Sequence, residues 1–177
     1  YGKMRAKSLN TIAGSNVVDY GWSYDPATGA ITGITPKAGK GAAPAVAVDV
    51  KALGGMYADR IQLLATERGV GVTFDGTMAS ASDVAISSAG RLTIGRGTPE
   101  GVKAKKTIRI RAEGPTLLEG AITSEDGELV EIRARESLTF SGQAAAGTIL
   151  LKSVGPASID GALAARQKLS IGAEQGS

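Results

Sequence analysis

The chain has 177 residues, a net charge of +3, no cysteine and no histidine. This composition excludes disulfides, thiolate metal sites, a cysteine nucleophile and any Ser-His-Asp triad, and it removes the commonest general base and transition-metal ligand. Glycine is high at 25 residues and aromatics make up only 4%, so a core must be assembled from thin layers of Ala, Val, Ile and Leu, as stacked strands allow.

Residues 3–18 set Met4, Ala6, Leu9, Ile12 and Val17-Val18 at apolar positions, with Gly14-Ser15-Asn16 as a turn. Residues 19–45 carry Tyr20, Trp22, Tyr24, Asp25-Pro26 and a Gly/Ala/Lys-rich stretch up to Pro44, and read as an excursion from the regular part. After that, short apolar triplets recur: Ile61-Gln62-Leu63, Val84-Ala85-Ile86, Ile108-Arg109-Ile110, Val130-Glu131-Ile132, Ile149-Leu150-Leu151 and Leu169-Ser170-Ile171. Their first residues lie 23, 24, 22, 19 and 20 positions apart. Each alternates with period two, the pattern of a strand with one buried face.

A second strand-like piece follows each triplet: Val70-Gly71-Val72, Leu92-Thr93-Ile94, Thr116-Leu117-Leu118, Leu138-Thr139-Phe140 and Ala157-Ser158-Ile159. A third, weaker piece appears at Val102-Lys103-Ala104 and Ala162-Leu163. Gly, Asp, Ser and Pro punctuate the joins, and residues 161–168 have local helical character at one of them. Two architectures produce such units, an antiparallel sandwich and a solenoid. The spacing is held over five steps, and Ala112, Ala134 and Ser153 follow their triplets at the same offset, all small enough for an inward corner. The sequence therefore predicts an all-β solenoid of roughly 20–24 residues per coil and roughly eight coils. The flanking residues of the six triplets should fill its interior, with Arg109 and Glu131 side by side on the outside.

Two segments resemble filamentous haemagglutinin and its relatives, the large exoproteins of two-partner secretion, a group that includes adhesins, haemolysins and contact-dependent growth inhibition proteins. The first is Ile12-Ala13-Gly14-Ser15-Asn16-Val17-Val18-Asp19-Tyr20. The second runs from Ala45 through Ala52-Leu53-Gly54-Gly55-Met56-Tyr57-Ala58 to Thr66-Glu67-Arg68-Gly69-Val70-Gly71-Val72. The resemblance covers roughly residues 9–95. It implies a right-handed parallel β-helix, export through an outer-membrane partner transporter, and a secreted or surface location in a Gram-negative bacterium. It also implies that toxic activities sit at the far C-terminus of the parent. The family's Asn-Pro-Asn-Gly type export motif is missing here, which places the export signal outside the chain. Together with a start at Tyr1, this reads as a piece of something longer. Residues 1–58 are expected to hold less regular coils with the excursion, and residues 59–177 the regular repeats.

Motifs of chemical interest are few. Gly39-Lys40-Gly41 lacks the spacing and the following Ser or Thr of a phosphate loop. Gly54-Gly55 reads as a tight turn. Asp59 and Asp83 are 24 apart and would stack on successive coils, but a calcium or catalytic cluster needs more carboxylates. Glu125, Asp126 and Glu128 share a glycine turn, where acidic side chains are ordinarily solvated. The basic run Lys103, Lys105, Lys106, Arg109 and Arg111 alternates with apolar residues, as the solvated face of a strand does. Stacking the triplets sets Arg111, Arg133 and Lys152 in one column about 4.8 Å apart. Like charges at that spacing are unfavourable, which motivates an anionic-glycan surface there. Glu113, Glu131 and Glu136 are the local groups able to neutralise it.

The expectation is thus a structural and adhesive shaft segment and not an enzyme, with no catalytic, cofactor or metal residues. Its partners would be the export transporter and a host or target-cell surface glycan or receptor. Nucleic acid is excluded for want of aromatics among the basic residues, and no apolar run is long enough to span a membrane. The alternative is a carbohydrate-active β-helix enzyme using Asp59 or Asp83.

Overall fold

The computed structural model describes residues 3–42, 44–50, 54–97 and 100–173. In chain order the strands are β1 (Lys3–Ala13), β2 (Asn16–Tyr24), β3 (Ile31–Pro36), β4 (Val46–Val50), β5 (Gly55–Ala65) and β6 (Gly71–Phe74). Then come β7 (Thr77–Ser88), β8 (Leu92–Ile94), β9 (Val102–Ala104), β10 (Thr107–Ala112), β11 (Thr116–Leu118) and β12 (Ala121–Ser124). The last five are β13 (Leu129–Ala134), β14 (Leu138–Phe140), β15 (Gln143–Ser153), β16 (Ala157–Ile159) and β17 (Ala162–Ala173). The described residues contain no helix.

These strands wind into a parallel β-solenoid with three walls. The first wall stacks β1, β5, β7, β10, β13, β15 and β17 in parallel. Its register is the one the triplets define: Ile61, Val84, Ile108, Val130, Ile149 and Leu169 are successive partners. The second wall runs β4, β6, β8, β11, β14, β16. The third is built from the first halves of the long strands together with β9 and β12, so that Met4, Met56, Met78, Val102, Ile122, Ala144 and Leu163 form one column.

Period-two alternation sends every second side chain inward on all three walls, and the three sets meet in one aliphatic core. Ten of the twelve expected interior residues, Ile61 through Leu151, are at most 1% exposed. Leu169 and Ile171 are 48% and 50% exposed because β17 is the last described rung and nothing is stacked on its free edge there. The small residues turn the corner after the first wall: Ala65, Ser88, Ala112, Ala134 and Ser153 are partners in sequence and all buried. Ser153 is satisfied there by donating to the Glu136 carbonyl at 3.0 Å. Backbones pack just as closely at Gly142, where an added Cβ would lie 2.2 Å from the Gly120 carbonyl oxygen.

The structure corrects the sequence reading in several places. There are about six turns, not eight, because one coil consumes residues 3–54: Lys3 and Gly55 are direct partners. Much of that stretch is an antiparallel hairpin, β2 with β3, thrown out of the coil. On the second wall Val72-Thr73-Phe74, not Val70-Gly71-Val72, aligns with Leu92-Thr93-Ile94. The segment over residues 161–168 is strand, since Ala162–Ala165 pairs with Gln143–Ala146 and a helix would leave that ladder without a partner. The Lys51-Ala52-Leu53 part of the family-like block and the polar tail after Ala173 lie outside the described residues.

Candidate functional surface

The outer face of the first wall carries the charged groups. Outward positions of β10, β13 and β15 form two columns, Arg109–Glu131–Leu150 and Arg111–Arg133–Lys152, both in the expected register. Arg109 and Glu131 form an ion pair at 3.3 Å, as their adjacency predicts. Glu131 is nonetheless buried rather than solvent-facing, because Arg133 closes over it, with its Nε donating to Glu131 Oε1 at 2.7 Å. One carboxylate thus bridges two guanidinium groups.

Arg111 is taken up differently. The β2–β3 hairpin folds back across this wall, and Tyr24, Leu64 and Ala85 form a small second core with Ile12, Trp22 and Ile34 against it. At the hairpin's tip Asp25 accepts from the Ala27 amide at 2.8 Å and from the Thr28 hydroxyl at 2.7 Å, closing an Asx-type turn. The Thr28 hydroxyl bond, then the Ala27 amide, holds the Asp25 carboxyl below the usual carboxylate range. This turn aims the Ala27 carbonyl outward, and Arg111 donates to it. Gly29, at φ +80°, lets the backbone lie against the Arg111 guanidinium; a Cβ there would be 3.3 Å from Arg111 Cδ. Burial of the hairpin's Tyr24 against Leu64 and Ala85 of the first wall pushes its hydroxyl above the ordinary tyrosine pKa.

Arg111, Arg133 and Lys152 are therefore brought together in space, but not as three free cations. Arg111 is held by the hairpin, Arg133 by Glu131, and Lys152 is exposed. Glu113 binds Arg135 at 3.3 Å instead of the column. A cavity beneath the hairpin, lined by Tyr24, Pro26, Arg60, Gln62, Asp83 and Arg109, holds charges of both signs.

Asp59 and Asp83 do not stack. A bulge between Ala58 and Arg60 sets Asp83 opposite Arg60, with which it pairs at 3.7 Å. The basic run is split by the bend at Lys105-Lys106, which leaves Lys103 on the third wall and Arg109 and Arg111 on the first. The β2–β3 brace is the functional element that sequence reasoning missed. Its signal was available in the aromatic trio of the excursion, since Tyr24 and Trp22 have no place in a thin aliphatic core.

Fold and surface define a parallel β-solenoid segment braced on its outer face by a hairpin. No family model and no solved structure matches the chain. Comparison with curated proteins identifies its homologues as CdiA, the contact-dependent growth inhibition proteins, within the exoprotein group the sequence resembles. The 16S rRNA endonuclease CdiA of Enterobacter cloacae is 33% identical over 195 aligned positions, which take in 98% of this chain and 5% of the relative. The tRNA nuclease CdiA-2 of Burkholderia pseudomallei is 44% identical over 93 residues, 52% of this chain and 3% of its own length. The tRNA nuclease CdiA of Yersinia mollaretii is 33% identical over 121 residues, 68% of this chain and 4% of its own. The chain thus spans 5% or less of the length of these relatives.

The names overturn two expectations. Relatives that are an rRNA endonuclease and tRNA nucleases are enzymes that act on nucleic acid, so neither "not an enzyme" nor "no nucleic acid" stands. The physical reason is plain. Missing histidines and scarce aromatics exclude certain chemistries and stacking sites within these 177 residues, and they carry no information about the far longer remainder of the relatives.

Proposed function

We propose that this segment is part of the β-solenoid shaft of a CdiA-like exoprotein, exported to the surface of a Gram-negative cell through an outer-membrane partner. In this reading the parent protein acts on RNA, as the relatives' names indicate for them. The observation that carries the shaft role is the unbroken stack of Ile61, Val84, Ile108, Val130 and Ile149. Each is buried at 1% exposure or less and backed by a continuous parallel ladder. Such a column makes a stiff rod whose length is set by coil number.

An in-register deletion tests it. Val130 and Ile149 are direct partners, so removing residues 130–148 deletes one whole coil and lets Ile149 take the place of Val130. The shortened chain should fold, and the parent carrying it should still reach the surface and inhibit target cells. Cleavage of tRNA by the isolated chain would replace the shaft reading with a toxin-domain one.

The adhesive part of the reading rests on the basic column. Since Arg111 and Arg133 already have partners, Lys152 should account for most of any retention on heparin. Replacing Arg111, Arg133 and Lys152 together with Ser should then add little to Lys152→Ser alone. If neither variant shifts the elution salt, this surface does not bind anionic glycans.

A further inference from the structure

We propose that the cavity between the β2–β3 hairpin and the first wall is a binding site for a small hydroxylated carboxylate, of the size and chemistry of a sugar acid. The hairpin supplies Tyr24 and Pro26, and β5, β7 and β10 supply Arg60, Asp83 and Arg109. The cavity measures about 230 Å³, below the roughly 300–1,000 Å³ of pockets that take drug-sized ligands. Exposure grades across it. Tyr24 is 6% exposed, and the Asp83 and Arg60 side chains are 30% and 60% exposed. Tyr24 therefore marks the inner end and Arg60 the mouth.

The inner end lacks an acceptor. The Tyr24 hydroxyl and the Arg109 Nε are both buried there without a hydrogen-bond partner. Ser87 bears on the Tyr24 hydroxyl, but without the alignment of a hydrogen bond. Arg109 has a counter-charge in Glu131 at 3.3 Å, yet its Nε–H is not directed at that carboxylate, whose other oxygen is taken by Arg133. Buried polar groups are ordinarily satisfied, and an unmet donor costs most when the group is charged. A hydroxyl and a guanidinium that both still have a proton to give fit one oxyanion, and a guanidinium suits a carboxylate.

The mouth has the opposite need. The Asp83 carboxylate takes the Ser82 hydroxyl at 2.9 Å and Arg60 at a loose 3.7 Å, both on Oδ2. This leaves Oδ1 and the Gln62 amide to meet hydroxyl groups. An ammonium group in that place would face Arg60 and Arg109, and like charges repel. An acid at one end and hydroxyls at the other is the pattern of a sugar acid and not of an amino acid. The site is separate from the basic column, since none of Arg111, Arg133 and Lys152 lines it.

Trp22, the chain's single tryptophan, packs in the same small core as Tyr24 and gives the readout. Titration of the chain with D-glucuronate should change Trp22 emission saturably. Saturating glucuronate should also raise the melting temperature, because a ligand held only by the folded state stabilises it. D-glucose, which has the hydroxyls without the acid, should do neither. Tyr24→Phe removes a hydroxyl that has no partner in the protein and should weaken binding about tenfold or more, the usual weight of a hydrogen bond to a charged group. Arg109→Lys keeps a charge for Glu131 but loses the guanidinium, and should weaken binding comparably. Lys103→Ser, on the third wall, should leave it unchanged. Far-UV circular dichroism and a thermal melt establish that each variant is folded. A disaccharide ending in glucuronate separates the two sources of such an acid: equal affinity marks a glycan end, rejection marks a free sugar acid, and the site stands in both cases. A parent chain that does not respond to glucuronate means that the cavity holds water only, and overturns the proposal. So does an equal response to glucose, or glucuronate binding that survives both Tyr24→Phe and Arg109→Lys.

Discussion

Replacing Ile110 with Ala removes a side chain with 0% exposure from the middle of the first-wall core, between Ile86 and Ile132 on the adjacent rungs. Truncations of this kind cost about 2–5 kcal/mol, and the value depends on how far the surroundings can close the cavity. Here they can close it very little along the axis. The backbones of β7, β10 and β13 are fixed by parallel ladders about 4.8 Å apart, so Ile86 and Ile132 cannot move toward each other without breaking hydrogen bonds. The expected loss therefore lies in the upper half of the range, about 4 kcal/mol. Leu169→Ala is the internal comparison. Leu169 belongs to the same inward set but is 48% exposed in the last described rung of this 177-residue chain, so its truncation in that chain forfeits about 1 kcal/mol and leaves no enclosed void. Guanidinium unfolding followed by far-UV circular dichroism gives both numbers, provided the slope with denaturant is unchanged. A lowered slope in I110A would mean that coils on either side of the defect had uncoupled, as quasi-one-dimensional repeats permit. Equal costs for the two variants, or a loss under about 1.5 kcal/mol for I110A, would refute the register and the rigidity argument together.

Glu131→Gln removes the charge that bridges Arg109 and Arg133. Because those partners are 24% and 43% exposed, solvent screens the loss, and about 1–2 kcal/mol is expected in the same unfolding assay. Tyr24 carries a pH signature. Its pKa is raised in the folded state by burial, so its contribution is fully present below the ordinary tyrosine pKa of about 10 and is lost as pH rises through the folded value. Tyr24→Phe should flatten that alkaline decline in a melting series. Gly142→Ala drives a methyl into the Gly120 carbonyl and should cost about 1–3 kcal/mol. Gly172→Ala meets nothing within 4 Å and should stay within about 0.5 kcal/mol of the parent.

The first wall is legible in the sequence because its inward residues are large and aliphatic and its outward ones polar, so period two and coil spacing appear together. A slip of one residue would turn Ile108 and Ile110 to solvent and Arg109 inward, and that cost leaves only one register open. The third wall is hard to read for the opposite reason. Its inward column runs Met56, Met78, Val102, Ile122, Ala144, changing in size from coil to coil, while its outward neighbours Tyr57, Ala79, Thr123 and Ala145 are barely polar and Lys103 is the one charged exception among them. Alternation in hydropathy is nearly absent there, and the same weak contrast gives residues 161–168 their helical look. The second wall sits between the two. Val70 is buried as fully as Val72, so apolarity cannot decide which of them faces Leu92, and only the ladder does.

Coil number and the charged surface depend on something no local pattern encodes, namely where an inserted segment goes after it leaves the coil. The excursion is detectable from its composition. Its landing place is not, since the Ala27–Arg111 contact joins residues 84 positions apart. That landing settles the chemistry of the surface. Stacking alone predicts a like-charge column that costs stability and so invites a ligand. With the hairpin down, Arg111 has a carbonyl partner, Arg133 and Arg109 share Glu131, and the instability that argued for a ligand is relieved within the chain. The brace also ties β5, β7 and β10 together across the outer face through Leu64, Ala85 and Arg111. The first coils of the solenoid are therefore held by two cores, and the later ones by one. Local opening should accordingly cost less in the later rungs, β13 onward, which rely on the aliphatic column alone, than in the braced rungs β5, β7 and β10.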